Sequence, residues 1–503
     1  MRTKKALLNS GTSLLLQVVT VICGFILPRM ILLRFGSTVN GAISSITQFL
    51  GYITMLEAGV GGVTKAALYK PMADNNYEKI SAIANATSSF FRKLAAIFLG
   101  YAIVIACTYK YIAASELDWL FSFSLVLIIS VSTFAQYVFG ITNMIVLQAD
   151  QKTYITNSIN IITVILNAVL SAILLQLGAN IHIVKLVSTA VYVLRPLFLH
   201  YYCSKSYRID KKIPKDNAAI EQRWNGLGHH IAFFVYSNTD IMVITLFLGL
   251  KWVSVYSVYA MILFGIKHII NAMSGGSEAA LGNMIAKGEQ KLLKQNFSII
   301  ETLTSIITVS LFATTGILLI DFIRIYTQDI TDINYIVQSF GILFVISEAI
   351  NCIKQPYYNL IAAAGHYRQT RTGAFIEAGL NIVLSIIFVQ FIGIQGVIIA
   401  TILASFYRML DYIFYLKKHV LQRNLNVFIW KQVTNVLTAL AIILVCSLIP
   451  FKQVHNYFEW AWKAVQVLLI SVGITGCFNL AVNNQDVKRL YSKLFRVFNK
   501  KCS

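Results

Sequence analysis

The sequence predicts an all-α, polytopic integral membrane protein with about 14 transmembrane helices. Of its 503 residues, 57% are hydrophobic and only 13% are charged, about half the charged fraction of an ordinary soluble domain. The apolar residues recur in blocks of about 20, the length that crosses a hydrocarbon core of roughly 30 Å as helix. Lys and Arg residues concentrate in alternate loops between these blocks, as they do in membrane proteins of fixed orientation.

Reading these blocks along the chain gives fourteen predicted spans. The first eight cover residues 9–33, 41–64, 87–108, 118–147, 155–178, 182–203, 227–249 and 252–274. The other six cover residues 298–321, 335–355, 374–393, 395–416, 432–450 and 460–482. The loops that contain most of the basic residues, such as the one with Lys205, Lys211 and Lys212, place both termini in the cytoplasm. The loops are too short for a soluble catalytic domain, so we expect the function to reside within the helix bundle and the protein not to be an enzyme.

The net charge of +21 and the seven cysteines exclude two other classes of protein. A nucleic-acid-binding protein presents its basic residues on a soluble domain, whereas these lie between apolar blocks. The cysteines occur singly, without the spacing of metal ligands, so neither a metal site nor a nucleic-acid partner is expected.

An internal repeat predicts how the spans are grouped. LNAVLSAILLQLG from Leu166 aligns with LNIVLSIIFVQFIG from Leu380, and nearly the same offset aligns Arg195 with Arg408 and Gly36 with Gly249. Because each copy has six spans, the two copies keep the same orientation in the membrane. We therefore predict two pseudo-symmetric six-helix lobes and two further helices. The lobes are residues 1–208 and 225–420, joined by a cytoplasmic linker at 209–224, and residues 421–503 form the two additional helices and a basic cytoplasmic tail.

Three short motifs lie within this organisation. Arg34, Gly36 and Gly41 fit an Arg-x-Gly-x4-Gly pattern, and Glu57 opens an acid-x-Gly-x-Gly pattern. Asp240 precedes an apolar run that ends in Gly249, with Tyr256 beyond it. Motifs and span count together resemble the multidrug/oligosaccharidyl-lipid/polysaccharide exporter (MOP) superfamily, and within it the polysaccharide or O-antigen flippases (Wzx-type).

The resemblance implies alternating access around a central cavity. It implies transport of an undecaprenyl-diphosphate-linked oligosaccharide across the bacterial cytoplasmic (inner) membrane for O-antigen or capsule synthesis. A gradient of H+ or Na+ would drive the cycle, in line with the absence of a GxxxxGK[ST] nucleotide-binding motif. Membrane lipids, a polysaccharide polymerase and glycosyltransferases are the implied partners. A multidrug or metabolite exporter and a lipid II flippase of the same superfamily remain alternatives, and a membrane-embedded polysaccharide polymerase is disfavoured because no long outer loop is present.

Charged residues inside the spans are the candidate site residues, because hydrocarbon does not solvate them. Arg29 and Lys267 are the cations that we expect to bind the substrate diphosphate in the cavity. Glu57 and Asp240 are candidate gate residues, Asp240 pairing with Arg29 and Glu57 with Lys267. Glu348 has no cation near it in sequence, so we expect a lone carboxylate that binds the coupling ion. Arg195 and Arg408, being related by the repeat, are expected to be structural.

Overall fold

The computed structural model describes residues 2–57, 59–113, 117–207, 209–219, 221, 227–274 and 277–499. Within these ranges the regular structure is helical, which confirms the predicted all-α class. The first half contains α1 (Arg2–Gly51), α2 (Val60–Ala73), α3 (Tyr77–Ile112), α4 (Trp119–Ala135), α5 (Ile141–Ala149), α6 (Thr153–Gln176), α7 (Ile181–Tyr207) and α8 (Leu227–Phe247). The second half contains α9 (Leu250–Ser274), α10 (Ser277–Ala286), α11 (Gln290–Tyr326), α12 (Gln338–Ala363), α13 (Arg371–Ile392), α14 (Ile394–Leu416), α15 (Leu425–Leu448), α16 (Tyr457–Val482) and α17 (Asn484–Asn499).

Helix length and composition identify a multi-pass membrane protein. Across the described ranges, 11 helical stretches are long and apolar enough to cross a membrane. Three of the fourteen predicted spans are not among these 11 stretches. They coincide with the second half of α1, with the shorter apolar helix Ile231–Phe247, and with α12, which contains Glu348 and Lys354. Each predicted span therefore overlaps helical structure, although the first two share α1.

The first two predicted spans differ from the structure in their boundaries. The predicted loop between residues 33 and 41 does not form, because α1 continues through it with one non-helical residue, Gly36 (φ 76°, ψ −179°). Glycine has no Cβ and adopts this positive φ without strain. The second predicted span is not one continuous helix either, since α1 ends at Gly51, a 3₁₀ turn covers Tyr52–Leu56, and α2 begins at Val60.

The chain divides into two compact units, Met1–Ser257 (unit 1) and Val258–Ser503 (unit 2). Unit 1 has an apolar core in which Phe98, Tyr109, Leu125 and Val146 are buried. A core of unit 2 buries Leu293, Phe297, Tyr357 and Leu360. This division reflects only which parts of the chain pack compactly together. The predicted lobe boundaries at residues 208, 225 and 420 stay predictions.

Positions related by the predicted repeat have similar surroundings within each unit. Asn167 of α6 donates to the hydroxyl of Tyr192 in α7 (3.1 Å), and Asn381 of α13 donates to the hydroxyl of Thr401 in α14 (2.9 Å). Gly36 and Gly249 both have positive φ. Asn167 and Asn381 thus each link two successive helices, whereas Gly36 and Gly249 both lie in unit 1, and the repeat stays a prediction.

An ion-pair cluster anchors the start of α1, the helix that contains Arg29. Asp150, in the turn between α5 and α6, contacts Lys5 Nζ at 3.1 Å and Lys152 Nζ at 2.8 Å. Tyr207 donates a further hydrogen bond to it at 2.6 Å. Burial alone would raise the pKa of the Asp150 carboxyl, but the hydrogen bonds from Lys152, Tyr207 and Lys5 outweigh it and lower the pKa.

A second buried cluster ties the C-terminal helices α15 and α17 to α11. Glu301 of α11 contacts Arg423 (2.8 Å) and Lys431 of α15 (2.9 Å). Lys431 also contacts Asp486 in the first turn of α17 at 3.1 Å. Because Glu301 and Lys431 are almost fully buried, their charges stabilise one another in place of water.

Candidate functional site

Lys267 and Glu348, which the sequence predicts separately, form an ion pair in unit 2. Lys267 Nζ of α9 lies 2.8 Å from Glu348 Oε2 of α12 and 5.4 Å from the centre of the Phe264 ring. Asn351 donates to the other Glu348 oxygen at 3.3 Å, and Ser405 of α14 donates to Asn351 at 3.2 Å. The expectation that Glu348 is a lone carboxylate is therefore wrong, because its cation lies on a helix that is distant in sequence.

A second charged cluster joins α12, α13 and α14. Lys354 Nζ contacts Glu377 Oε1 at 2.5 Å, and Arg408 Nε lies 3.5 Å from Glu377 Oε2. Arg408 also binds Asp411 Oδ2 through Nη1 at 2.6 Å and stacks on the Tyr412 ring at 4.2 Å. The Arg408 side chain is fully buried among these partners, and its structural role stays a prediction.

Of this cluster, the sequence predicted Arg408 but not Lys354, Glu377 or Asp411. All three lie within or beside predicted spans, so the presence of a charged residue in an apolar segment could have identified them as candidates. Lys354 is at the end of the tenth predicted span, Glu377 near the start of the eleventh, and Asp411 close to the end of the twelfth.

The two clusters that α9, α12, α13 and α14 form are electrically balanced. Lys267, Lys354 and Arg408 supply three positive charges, and Glu348, Glu377 and Asp411 supply three negative ones. In a medium of low polarity an added anion binds a cation strongly only when that cation has no carboxylate partner. Lys267 can therefore bind an anionic ligand once Glu348 is neutralised or moves away.

The other candidate residues lie in unit 1. Arg29 is half-buried in α1. Glu57 follows the 3₁₀ turn, lies beside the hydroxyl of Tyr137 and is half-buried. Asp240 is buried in α8 and accepts a hydrogen bond from Tyr256 of α9 at 3.2 Å. The Arg29–Asp240 and Glu57–Lys267 pairings remain predictions, and the structure gives Lys267 a carboxylate partner that the sequence did not predict.

A row of polar side chains in unit 1 joins the second half of α1 to α8 and to the start of α9. Asn40 donates to Ser254 at 2.7 Å, and the hydroxyls of Ser45 and Thr245 lie 2.9 Å apart. Farther along α1, Gln48 and Tyr52 both donate to Asn238, Gln48 to the side chain and Tyr52 to the main-chain carbonyl at 3.2 Å. Asn40, Ser45 and Gln48 lie on α1, and Tyr52 begins the 3₁₀ turn that follows it. We call this contact the α1 polar row.

Gly41 sets the close approach of the helices at the α1 polar row. A Cβ atom at position 41 would lie 1.8 Å from the main-chain oxygen of Leu250. No side chain fits at that distance, so the contact requires glycine. This gives a packing reason for the Gly41 of the sequence motif.

The sequence itself has no match among protein-family models or among curated proteins. Solved structures do match. The lipid II flippase MurJ in an inward closed conformation aligns with a TM-score of 0.68 and 15% identity, covering 94% of this chain and 99% of MurJ. An inward-facing multidrug resistance MATE family transporter of the MOP superfamily gives 0.64 and 15%, covering 80% and 96%. The eukaryotic MATE transporter AtDTX14 gives 0.58 and 11%, covering 93% and 98%. The chain therefore has the fold of these transporters.

Adding a methyl group at Gly373 should destabilise the Arg408 cluster. A Cβ there would lie 2.2 Å from both Arg408 Nη1 and Asp411 Oδ2. We expect Gly373→Ala to lower the free energy of unfolding by about 1–3 kcal/mol, as overpacking does, and to lower the melting temperature in detergent. Gly379→Ala is the matched control, because Gly379 is exposed on the same helix with open space around it. Equal melting temperatures for the two variants would show that the cluster accommodates the added methyl group without loss of stability.

The α1 polar row should open when Gly41 acquires a side chain. We expect Gly41→Ala to weaken this contact by about 1–3 kcal/mol. The measurement is cross-linking of Asn40→Cys with Ser254→Cys by a short thiol reagent, after replacement of the native cysteines. Cross-linking should fall about tenfold with Gly41→Ala. It should be unchanged with Gly24→Ala, a site on α1 with open space. Undiminished cross-linking in Gly41→Ala would contradict the packing argument.

Proposed function

We propose that this protein flips an undecaprenyl-diphosphate-linked oligosaccharide repeat unit across the bacterial inner membrane, for the synthesis of O-antigen or capsule. The observation that carries the proposal is the similarity to the lipid II flippase MurJ along 94% of the chain. That similarity concerns the fold, and it supports a lipid substrate because the matching protein is a flippase of a lipid. Intramembrane cations add chemical support, since a diphosphate needs them when it leaves water.

Lys267 is the residue that we propose for binding the diphosphate. Its ammonium is about one-third exposed, whereas the carboxylate of Glu348 beside it is buried. Uptake of H+ or Na+ by Glu348 would neutralise the carboxylate and leave Lys267 free for a phosphate oxygen. The ion gradient would in this way be coupled to substrate binding through one ion pair.

The α1 polar row is the contact that we propose to open and close during transport. It joins α1 of the first predicted lobe to α8 and α9 of the second through neutral hydrogen bonds. Such bonds contribute about 0.5–1.5 kcal/mol each, so a row of them holds two helices together and still separates reversibly. Arg29 and Asp240, on the same helices, remain candidate gate residues.

The proposal includes location and partners. Both termini would be cytoplasmic, glycosyltransferases would assemble the substrate on the inner leaflet, and a polysaccharide polymerase would use it on the outer leaflet. The alternative is a multidrug or metabolite exporter, which the similarity to MATE transporters supports. A lipid II flippase would differ from the first proposal in substrate alone.

Deleting the gene separates these functions. We expect the deletion strain to lose surface polysaccharide and to accumulate its lipid-linked precursor on the inner leaflet, as measured by lipid extraction and leaflet-specific labelling. The wild-type gene should restore the polymer, whereas Lys267→Ala should not. Unchanged polysaccharide together with altered sensitivity to toxic compounds would favour the exporter.

A control is needed because Lys267→Ala leaves Glu348 without its cation, and an unpaired buried charge costs about 3–5 kcal/mol. The double variant Lys267→Ala with Glu348→Gln removes both charges and avoids this cost. It should insert normally and still fail to restore the polymer. Full rescue by the double variant would mean that Lys267 serves only to stabilise Glu348.

Glu348→Gln should uncouple transport from the ion gradient. The amide keeps the shape of the carboxyl but cannot take up H+ or Na+, and it leaves Lys267 permanently without a charged partner. In proteoliposomes we expect flipping of the lipid-linked substrate to lose its response to an imposed gradient while substrate binding persists. Asp329→Asn, an exposed carboxylate of the same unit, is the control and should keep the response. A gradient response that survives in Glu348→Gln would exclude Glu348 as the coupling site.

A further inference from the structure

A basic cleft lies in unit 1, between α3, α7 and the segment that follows α7. It consists of two adjoining cavities of about 390 and 680 Å³, which share Asn85, Ser88, Arg92 and Lys211. Three more cations, Lys93, Lys212 and Lys215, line the second cavity, and the first has His200 and Asn143 on its walls. Among the described residues that line the two cavities, none is an aspartate or glutamate.

Hydrogen bonds hold the cleft in shape. Asn85 of α3 donates to the main-chain oxygens of Asp210 (2.9 Å) and Ile213 (3.0 Å). Lys215 donates to Ser89 at 2.9 Å, and the Asp216 N–H donates to the Ala82 oxygen at 3.2 Å. The segment 209–219 is thus attached to consecutive turns of α3. Its lysines are held opposite Arg92 and Lys93, although fixing like charges together is electrostatically unfavourable.

The two carboxylates of this segment do not relieve that repulsion. Asp210 accepts a hydrogen bond from the Lys212 N–H at 2.8 Å, and Asp216 accepts one from the Ala219 N–H at 3.2 Å. Both acids serve the local turns and are outside the cleft lining. The charge within the cleft therefore favours an anion with several oxygens, such as a phosphate ester.

The surroundings of the cleft indicate that the anion belongs to a lipid. Immediately after Lys93, α3 continues into an apolar stretch whose Ile97 and Val104 are exposed. Next to His200, α7 exposes Leu197 and Phe198. Apolar side chains exposed on membrane-spanning helices contact acyl chains, so a headgroup in the cleft has a hydrocarbon surface beside it for its tails.

We propose that this cleft binds the phosphate headgroup of an anionic lipid of the adjacent leaflet, with Arg92 and Lys211 as its principal ligands. Both cations lie in both cavities and both interact electrostatically with His200. The site lies within one unit and uses none of the residues proposed for transport. It therefore does not depend on the proposed function.

The test measures binding of phosphatidylglycerol to the purified full-length protein by native mass spectrometry, in phosphatidylcholine nanodiscs. Arg92→Gln with Lys211→Gln should lower the affinity about thirtyfold, because two basic residues near the headgroup are lost. Lys70→Gln with Lys79→Gln removes the same charge from exposed positions outside the cleft and should leave the affinity unchanged. Arg92→Lys, which keeps the charge, should retain most of the binding. No variant should melt below the wild-type temperature in lipid-free detergent, and the cleft variant should melt at or above it because it relieves repulsion between like charges.

Two outcomes would overturn the proposal. Equal phosphatidylglycerol affinity in the cleft variant and the Lys70/Lys79 variant would mean that lipid binding follows net charge and not the cleft. Inorganic phosphate that raises the melting temperature in detergent and displaces phosphatidylglycerol at equal concentration would assign the site to a soluble anion. Neither result depends on whether the protein transports a lipid-linked oligosaccharide.

Discussion

The poor solvation of charge in hydrocarbon is the constraint on which the rest of this structure depends. Arg408 illustrates it, because its side chain is fully buried and its guanidinium contacts Glu377, Asp411 and the ring of Tyr412. Each pairing of this kind fixes the relative rotation and depth of the helices that contribute to it. The Glu301–Lys431–Asp486 cluster does the same for α11, α15 and α17. Buried charges thus position helices that would otherwise slide along one another in a uniformly apolar environment.

The same constraint explains how much the sequence could predict. Hydropathy and the distribution of Lys and Arg depend on each segment alone, so they were sufficient for the helical class and for most of the spans. The pairing of Lys267 with Glu348 depends on how α9 and α12 are rotated and how deep each lies, which hydropathy does not report. Both residues were therefore recognised as candidates, and Glu348 was wrongly expected to be alone. The continuity of α1 was missed for a related reason, since Gly36 interrupts a helix without ending it.

Glycines show a second limit of prediction from sequence. The chain has 28 of them, and their spacing does not distinguish a close contact from open space. At Gly41 the main chain of Leu250 occupies the position of a side chain, and at Gly373 the Arg408 cluster does. Gly24 and Gly379, on the same two helices, face open space. The difference arises from neighbouring helices, so only the packed structure reveals which glycines are required.

The net charge of +21 is not spread evenly between the helices inside the membrane and the loops outside it. In the α9–α14 clusters, cations and carboxylates balance, because an unpaired charge there would be too costly. The excess is carried by the loops, and orientation in the membrane accounts for its sign there. The orientation of the protein in the membrane requires only that basic residues lie on one side. Lysines on a flexible loop would meet that requirement. It does not explain why Asn85 and Ser89 fasten the segment 209–219 so that its lysines converge with Arg92. A folded segment that gathers like charges around a cavity is explained when an anion occupies that cavity.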